Sequence, residues 1–203
     1  GVVIPPGGTF SFNQYLGDVV EANGYDDAYI IFADRTVLGP GGGVCQVSST
    51  VFRAAFWGGY PIVERWAHAF RVSFYEPPVG LDATVFSPSV DFKFKNDADT
   101  YLLIQPKVDL KTGTLTFSLY GTNPNRTVEM EDPILENIIP HGAPVYTEDP
   151  TLKKGVIKQI DLAHDGGDAT IWRKIIVNGQ VVKRDKFFSR YQPWVARYLV
   201  GTK

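Results

Sequence analysis

A glycine run followed at once by a change of hydrophobic period constrains this chain more than any other feature. Residues 39–43 are four glycines and one proline, and such backbone can approach another group closely. Over residues 45–57 the apolar positions fall at three- and four-residue steps, which predicts a helix with one apolar face, made of Val44, Val47, Val51, Phe52 and Ala55. Gly58, Gly59 and Pro61 end this helix.

Most of the remaining sequence has the alternation of a β protein. Residues 26–43 predict a β segment that ends in the glycine loop, and residues 61–78, rich in β-branched and aromatic side chains, predict a strand. Residues 80–86 predict another short strand. Residues 101–121 predict a hairpin, and Asn178–Gly179 between two alternating runs is the strongest hairpin signal in the chain.

Composition limits the classes of function. The 203 residues carry a net charge of −2, so no basic field would gather nucleic acid or an anionic membrane. A single cysteine excludes an internal disulfide and any multi-cysteine zinc or iron–sulfur site. The opening GVVIPPGGTF has no initiator Met and no signal-peptide regions, so we interpret the sequence as a processed piece of a longer protein.

A change of character after Gly121 indicates a domain boundary. The stretch that follows is rich in proline and has no helical period, and alternating residues return further on. We therefore predict two domains, residues 1–123 and residues 124–203.

The lone cysteine, Cys45, has two interpretations. Free cysteine is among the most buried residue types, so Cys45 could simply pack as a small apolar residue. Its place at the start of a helix favours a second interpretation, because unpaired amides and the helix dipole stabilise a thiolate there. The same amides could hold the oxyanion of an acyl-transfer intermediate.

A thiolate enzyme also needs a base and a group that orients the base. His68 follows on the next predicted strand and Asp82 on the strand candidate after it. Each residue alone is more simply a structural side chain. Their order predicts a Cys45–His68–Asp82 site in which His68 takes the thiol proton and Asp82 fixes the His68 tautomer.

Other polar residues are weaker candidates. Glu64 and Arg65 could bind a peptide terminus, but a surface ion pair between them is the simpler interpretation. Gly43 would let a substrate chain pass close to the sulfur, and Gln46 and Asn13 could donate to a substrate carbonyl, although such amides more often cap turns. A loop with three aspartates, at positions 161, 165 and 168, lacks the spacing of a calcium-binding EF-hand. We expect no metal and no cofactor.

Three motifs in order resemble the VanW-like family of bacterial cell-envelope proteins, which takes its name from a gene of glycopeptide-resistance clusters. They are PPGGTFSFNQYLG, GGGVCQVSSTVFRAAFWGGYPIVERWAHAFRVSFYEPPVGLDATVF and DFKFKND. The resemblance covers about residues 2–121.

The tail, from about residue 126 to the end, resembles a G-five domain through KGVIKQIDLAHDGGDATIWRKIIVNGQVVKRDKFFSRYQPW and the terminal VGT. That resemblance implies a small, elongated all-β module that binds wall polymers containing N-acetylglucosamine.

A more distant likeness concerns mechanism. The segment GVCQVSSTVFRAAFWGGYPIVER resembles the nucleophile segment of transglutaminase-like and NlpC-like cysteine enzymes, and HAF and LDATVF resemble their histidine and aspartate strands. This likeness implies an α+β papain- or transglutaminase-like core, a helix packed on an antiparallel sheet, with Cys45 as nucleophile, His68 as base and Asp82 as the orienting carboxylate.

Together these features predict an extracellular envelope protein of a Gram-positive-type bacterium, with peptidoglycan or another wall polymer as partner. Any membrane attachment would come through a tether outside this segment. The predicted function is cysteine acyl transfer on peptidoglycan peptides, of the amidase, peptidase or transpeptidase type. The alternative is a non-catalytic wall-binding module in which Cys45 only packs.

Overall fold

The structure is a computed structural model that describes residues 1–32 and 35–203. It is mostly β, with 46% strand and 13% helix, and its strands form several small sheets. The expected α+β papain- or transglutaminase-like core, with a helix packed on one antiparallel sheet, is therefore wrong.

The correction has a local cause in the segments expected to form the histidine and aspartate strands. Of residues 61–78 only Ile62–Glu64 is a strand, and Asp82 lies in irregular structure that touches other segments through isolated bridges such as Trp66 with Thr84. Aromatic and β-branched residues suit any half-buried surface, so their abundance predicted a strand where the chain forms a packed loop.

Eight short strands build the sheets of the first part of the chain. They are β1 (Val2–Ile4), β2 (Thr9–Ser11), β3 (Asp27–Phe32), β4 (Arg35–Pro40), β5 (Ile62–Glu64), β6 (Lys93–Lys95), β7 (Leu102–Asp109) and β8 (Thr114–Tyr120). One antiparallel sheet has the order β1-β7-β8, another has the order β2-β6-β5, and β3 pairs with β4. The predicted hairpin over residues 101–121 is confirmed by the β7–β8 ladder. The predicted β segment over residues 26–43 forms β3 and β4, and its positions 33 and 34 lie outside the described residues.

Two α-helices occur in the described residues, α1 (Phe12–Leu16) and α2 (Val44–Trp57), together with 3-10 turns at Glu21–Asn23 and Ser73–Tyr75. The prediction of α2 is confirmed. Gly43 caps its start with a left-handed φ of 87°, which glycine adopts without steric cost. The amide of Gly58 closes its end on the Ala54 carbonyl. None of the described helices is long and apolar enough to span a bilayer.

The rest of the described chain is built from seven strands. They are β9 (Arg126–Met130), β10 (Ile134–Ile139), β11 (Val145–Asp149), β12 (Ile157–Asp161), β13 (Gly166–Val177), β14 (Gln180–Tyr191) and β15 (Arg197–Gly201). The long β13 pairs with β14, β10 and β9, and β11-β15-β12 forms a smaller sheet. The predicted hairpin at Asn178–Gly179 is confirmed, with positive φ at both turn residues.

The hydrophobic core extends across the predicted boundary. Phe52 and Phe56 of α2 pack against Phe187 of β14 at ring distances of 5.9 and 5.2 Å, and Ile171 of β13 is also part of the core. The division into residues 1–123 and 124–203 stays a prediction, but side chains of both segments fill one apolar interior.

Candidate functional site

Cys45 is the second residue of α2, where the helix begins against a glycine turn. A Cβ on Gly42 would lie 2.1 Å from the Ala28 Cβ, so only glycine lets this turn meet β3. The amides of Gln46 and Val47 both donate to the Gly43 carbonyl. Within the described part of the chain the Cys45 amide has no backbone acceptor, as is usual in the first turn of a helix.

The thiol of Cys45 is half-buried and lies beside polar atoms of residues 84 and 85. Its Sγ is 3.4 Å from the Thr84 Oγ1 and 3.6 Å from the Val85 carbonyl oxygen. The imidazole of His68 is also close enough to the thiol to lower its pKa.

His68 is oriented by Asp82. The Asp82 Oδ2 lies 2.6 Å from the His68 Nδ1 and also accepts the His68 backbone N–H at 2.8 Å. Because Nδ1 is held by the carboxylate, Nε2 is the ring nitrogen left to face Cys45. The ring of Tyr75 stacks on the imidazole with centroids 5.0 Å apart, and the His68 side chain is only 11% exposed.

The second oxygen of Asp82 is also fully used. Oδ1 accepts the hydroxyl of Tyr191 at 2.5 Å and the Arg65 Nη2 at 3.0 Å. The Arg65 Nε donates to the Asp82 backbone carbonyl at 2.6 Å, which fixes the backbone as well as the side chain. A buried carboxylate with four donors is a stable anion.

Helix α2 is fastened to the segment that carries Asp82. The Ser49 Oγ donates to the Ala83 carbonyl at 3.1 Å and accepts the Ala83 amide at 3.0 Å. One turn later the Arg53 Nε donates to the Leu81 carbonyl at 2.9 Å. These bonds set the register between the helix and residues 81–85, and this register brings Thr84 to the sulfur of Cys45.

The charges of the three groups are linked. Burial raises the pKa of the Cys45 thiol, but the neighbouring His68 imidazole and the Thr84 hydroxyl outweigh burial, so the thiol pKa lies below its ordinary 9.0. Burial lowers the pKa of His68, whereas its hydrogen bond to Asp82 and the neighbouring Cys45 raise it to about 9. Burial raises the pKa of Asp82, and the His68 bond and the Arg65 charge lower it to about 2. The arrangement therefore favours thiolate, imidazolium and carboxylate in sequence.

The predicted site residues divide into two groups. Cys45, His68 and Asp82 come together as described. Gly43 lies two residues before Cys45, and Gln46 follows it directly. No described atom would contact a Cβ on Gly43, and the Gln46 side chain is exposed. Their role in binding a substrate stays a prediction.

Asn13, the third predicted substrate ligand, is engaged in the fold. Its Nδ2 donates to the Val90 carbonyl at 2.9 Å, and its backbone amide donates to the Asp91 Oδ1 at 2.9 Å. These bonds join the start of α1 to the chain before β6. A role at the substrate stays a prediction for Asn13 too.

Sequence reasoning missed Thr84, Tyr191 and the role of Arg65. The sequence suggested a surface ion pair between Glu64 and Arg65, yet the Arg65 side chain is 5% exposed and bonds to Asp82, and Glu64 pairs with Lys93 instead. Thr84 lies two residues after Asp82. The strand predicted over residues 80–86 would have placed both side chains on one face, which was a usable signal for Thr84. Tyr191 is 109 residues from Asp82 and had none.

His141 and the three aspartates of the loop have separate partners. His141 bonds to Asp165 at 2.6 Å, and Asp168 pairs with Arg190 at 2.8 Å. Asp161 lies 3.8 Å from the Arg197 Nε. In the described chain the three loop aspartates thus take part in different interactions.

Two curated proteins resemble the chain. It is 41% identical over 121 residues to the uncharacterized protein YoaR of Bacillus subtilis, and this match covers 60% of the chain and 39% of YoaR. It is 31% identical over 103 residues to the vancomycin B-type resistance protein VanW of Enterococcus faecalis, covering 49% of the chain and 37% of that protein. The chain thus spans less than two fifths of the length of either relative.

Two solved structures match the chain weakly. HP0197-G5 shares 16% identity at a TM-score of 0.19, over 37% of this chain and 97% of that one. The IgA1 protease G5 domain shares 22% identity at a TM-score of 0.24, over 41% of this chain and 99% of that one. The resemblance of the tail to G-five domains remains a prediction from its sequence motifs.

The family model described as VanW like protein matches residues 1–120, which is more than half of the chain and includes Cys45, His68 and Asp82. The predicted likeness to transglutaminase-like enzymes finds no such support. The chain belongs to the VanW-like family.

Proposed function

We propose that this protein is a cell-envelope cysteine enzyme that transfers acyl groups of peptidoglycan peptides. The observation that carries the proposal is that Asp82 holds the His68 ring at 2.6 Å and that His68 in turn lowers the pKa of the Cys45 thiol. In this chain a thiol of lowered pKa, a base and an orienting carboxylate occupy adjacent positions, which is what nucleophilic catalysis by cysteine requires.

The first half-reaction follows from these contacts. The Cys45 thiolate attacks a substrate carbonyl carbon and forms a C–S bond, and the carbonyl oxygen becomes an oxyanion. The Cys45 amide, which has no backbone acceptor in the described chain, would donate a hydrogen bond to that oxygen. His68 then gives its Nε2 proton to the leaving amine as the C–N bond breaks, and a thioester remains.

The second half-reaction uses the same groups in reverse. Neutral His68 takes a proton from water or from an acceptor amine, which attacks the thioester carbonyl. The C–S bond breaks and the sulfur leaves as the thiolate beside imidazolium. Water as acceptor gives hydrolysis and an amine gives transpeptidation. Asp82 keeps its charge throughout, because its pKa is lowered to about 2.

We infer the substrate class from a relative of this chain. One VanW-like relative is named a vancomycin resistance protein, and we extend the cell wall as a setting from that relative to this chain. The tail with its G-five motifs would hold the protein on a wall polymer outside the cell. A neutral-to-acidic chain with a net charge of −2 suits such a partner better than nucleic acid.

A second candidate function rests on the packing of Cys45. Its side chain is among the partly buried groups that pack against the hydrophobic core. A sulfur held for packing alone would leave a non-catalytic module that binds the wall.

Purified peptidoglycan fragments with intact stem peptides test the proposal. We expect the protein to release or exchange a peptide or amino acid, detected by mass spectrometry, and a thioester on Cys45 to be trapped by acid quenching. Cys45→Ala should abolish both signals. Thr112→Ala, in the exposed turn between β7 and β8, should retain them. Binding of the fragments with neither product nor adduct would favour the non-catalytic module.

A further inference from the structure

Tyr191 connects the last strand of the long hairpin to the Cys45 site. It ends β14, is 2% exposed, and donates its hydroxyl to the Asp82 Oδ1 at 2.5 Å. Burial and the Asp82 charge raise the pKa of Tyr191, so its hydroxyl keeps its proton and remains a donor at neutral pH. The site therefore includes a buried donor that lies outside residues 1–120, the part matched by the family model.

Strand β14 also holds the other donor to the same oxygen. The Arg65 Nη1 donates to the Ser189 Oγ at 2.9 Å and to the Phe188 carbonyl at 3.2 Å. Arg65 can then present Nη2 to the Asp82 Oδ1. Both side chains that bind Oδ1 thus depend on residues 188–191.

The chain after β14 fastens the loop that carries His68. The Gln192 amide donates to the Ala69 carbonyl at 2.7 Å, and Gln192 pairs with Phe70 in a parallel bridge. The rings of Phe70 and Trp194 meet edge to face with centroids 4.3 Å apart. One continuous segment, residues 188–194, therefore contacts Asp82 and the loop that carries His68.

We propose that Tyr191 is a positioning residue for the Cys45 site, and that the C-terminal β segment completes this site by fixing the Asp82 carboxylate through Tyr191 and Arg65. The inference rests on the proposed function, since positioning matters only if the Cys45 thiolate is used. With Oδ1 held by two donors, the carboxylate cannot rotate, and Oδ2 stays directed at the His68 Nδ1. Removing one donor leaves a buried carboxylate that is less stabilised as an anion and freer to turn.

The test is the pH dependence of Cys45 alkylation by iodoacetamide in Tyr191→Phe. Cys45 is the only cysteine, so the labelled site is unambiguous. Without the Tyr191 donor the carboxylate is freer to turn away from the His68 Nδ1, which destabilises the imidazolium that favours the thiolate. The acid limb of the rate profile should therefore move upward, by at most about the 1 pH unit that a hydrogen bond to a charged group is worth, with the ring still filling its place. Ser189→Ala, which loosens Arg65, should shift the limb in the same direction by less.

The matched control is Tyr146→Phe, which removes an exposed hydroxyl on β11 and keeps the ring stacked on Tyr198. Its profile should coincide with that of the wild type. If Tyr191→Phe lowers Tm but leaves the acid limb in place, Tyr191 only packs and the inference is wrong. That outcome leaves acyl transfer untouched, whereas a wild-type protein that forms no product on peptidoglycan counts against acyl transfer and says nothing against the Tyr191 contact.

Discussion

At the scale of single residues, Asp82 determines the charge state of its neighbours. Its two oxygens accept from His68, Tyr191 and Arg65, so the carboxylate stays ionised although it is buried. The anion then holds a proton on His68, and the cation of His68 favours the Cys45 thiolate. In the proposed mechanism the thiolate therefore depends on a carboxylate that does not contact the substrate.

The raised pKa of His68 predicts how stability depends on pH. His68 titrates at 6.5 in the unfolded chain and at about 9 in the folded one, so its contribution is fully present below pH 6.5 and is lost as pH rises through about 9. A difference of this size corresponds to about 3 kcal/mol of unfolding free energy. Urea unfolding of the wild type and of His68→Gln between pH 6 and pH 10 measures it. The difference between the two proteins should shrink across that range, and a constant difference would contradict the assignment.

Sequence reasoning was able to place three of these residues and not the others. Cys45 follows a glycine turn at a helix start. His68 and Asp82 come next, in the order that the likeness to transglutaminase-like cysteine enzymes implied. Tyr191 contacts Asp82 across 109 residues, and no local pattern encodes so distant a hydrogen bond. Arg65 looked like a surface charge because a sequence does not show which charges become buried.

At the scale of elements, α2 is the part of the fold that the sequence predicted best. Its apolar period, its glycine cap and its glycine end are local signals, and the structure confirms the helix at Val44–Trp57. Residues 61–86 were predicted worst. Apart from β5 and one 3-10 turn they are irregular and stabilised by tertiary contacts such as Ser49 with Ala83, and propensity does not report such contacts.

Arg173 joins the end of α2 to the long hairpin. Its guanidinium is fully buried, donates to the carbonyls of Phe56 and Tyr60, and pairs with Asp185 at 2.6 Å. Arg173→Ala should lower the unfolding free energy by about 3–5 kcal/mol, because two carbonyls lose their donor and, among the described residues, Asp185 keeps only the half-exposed Lys183 as a partner. Urea denaturation measures the loss.

The control for Arg173 is Arg184→Ala on the same hairpin. Arg184 pairs with Glu131 but is 46% exposed, so its removal should cost about 1 kcal/mol or less. Equal losses in the two variants would show that the buried arginine has no special part in joining α2 to β13 and β14.

At the scale of the whole molecule, the two predicted segments are joined by more than a linker. Phe187 and Ile171 fill the same interior as Phe52 and Phe56, and residues 188–194 reach the loop of His68. The sequence indicated a boundary near residue 123 because composition changes there. Composition reports local character, and the shared core is a product of tertiary packing.

Fold class was the largest error at this scale. The distant likeness to transglutaminase-like enzymes implied a papain-like core, but the structure is a mostly β protein. Similar groupings of side chains occur on unrelated folds, so a likeness of short segments does not determine the architecture.

The measurement that tests the account most directly is the rate of Cys45 alkylation by iodoacetamide as a function of pH, in the wild type and in His68→Ala. The account predicts rapid alkylation of the wild type at neutral pH. In His68→Ala the acid limb should rise by about 1 unit, with a roughly tenfold slower reaction at pH 7. Coincident profiles, or a thiol that reacts only after denaturation, would contradict the claim that His68 holds Cys45 as a thiolate.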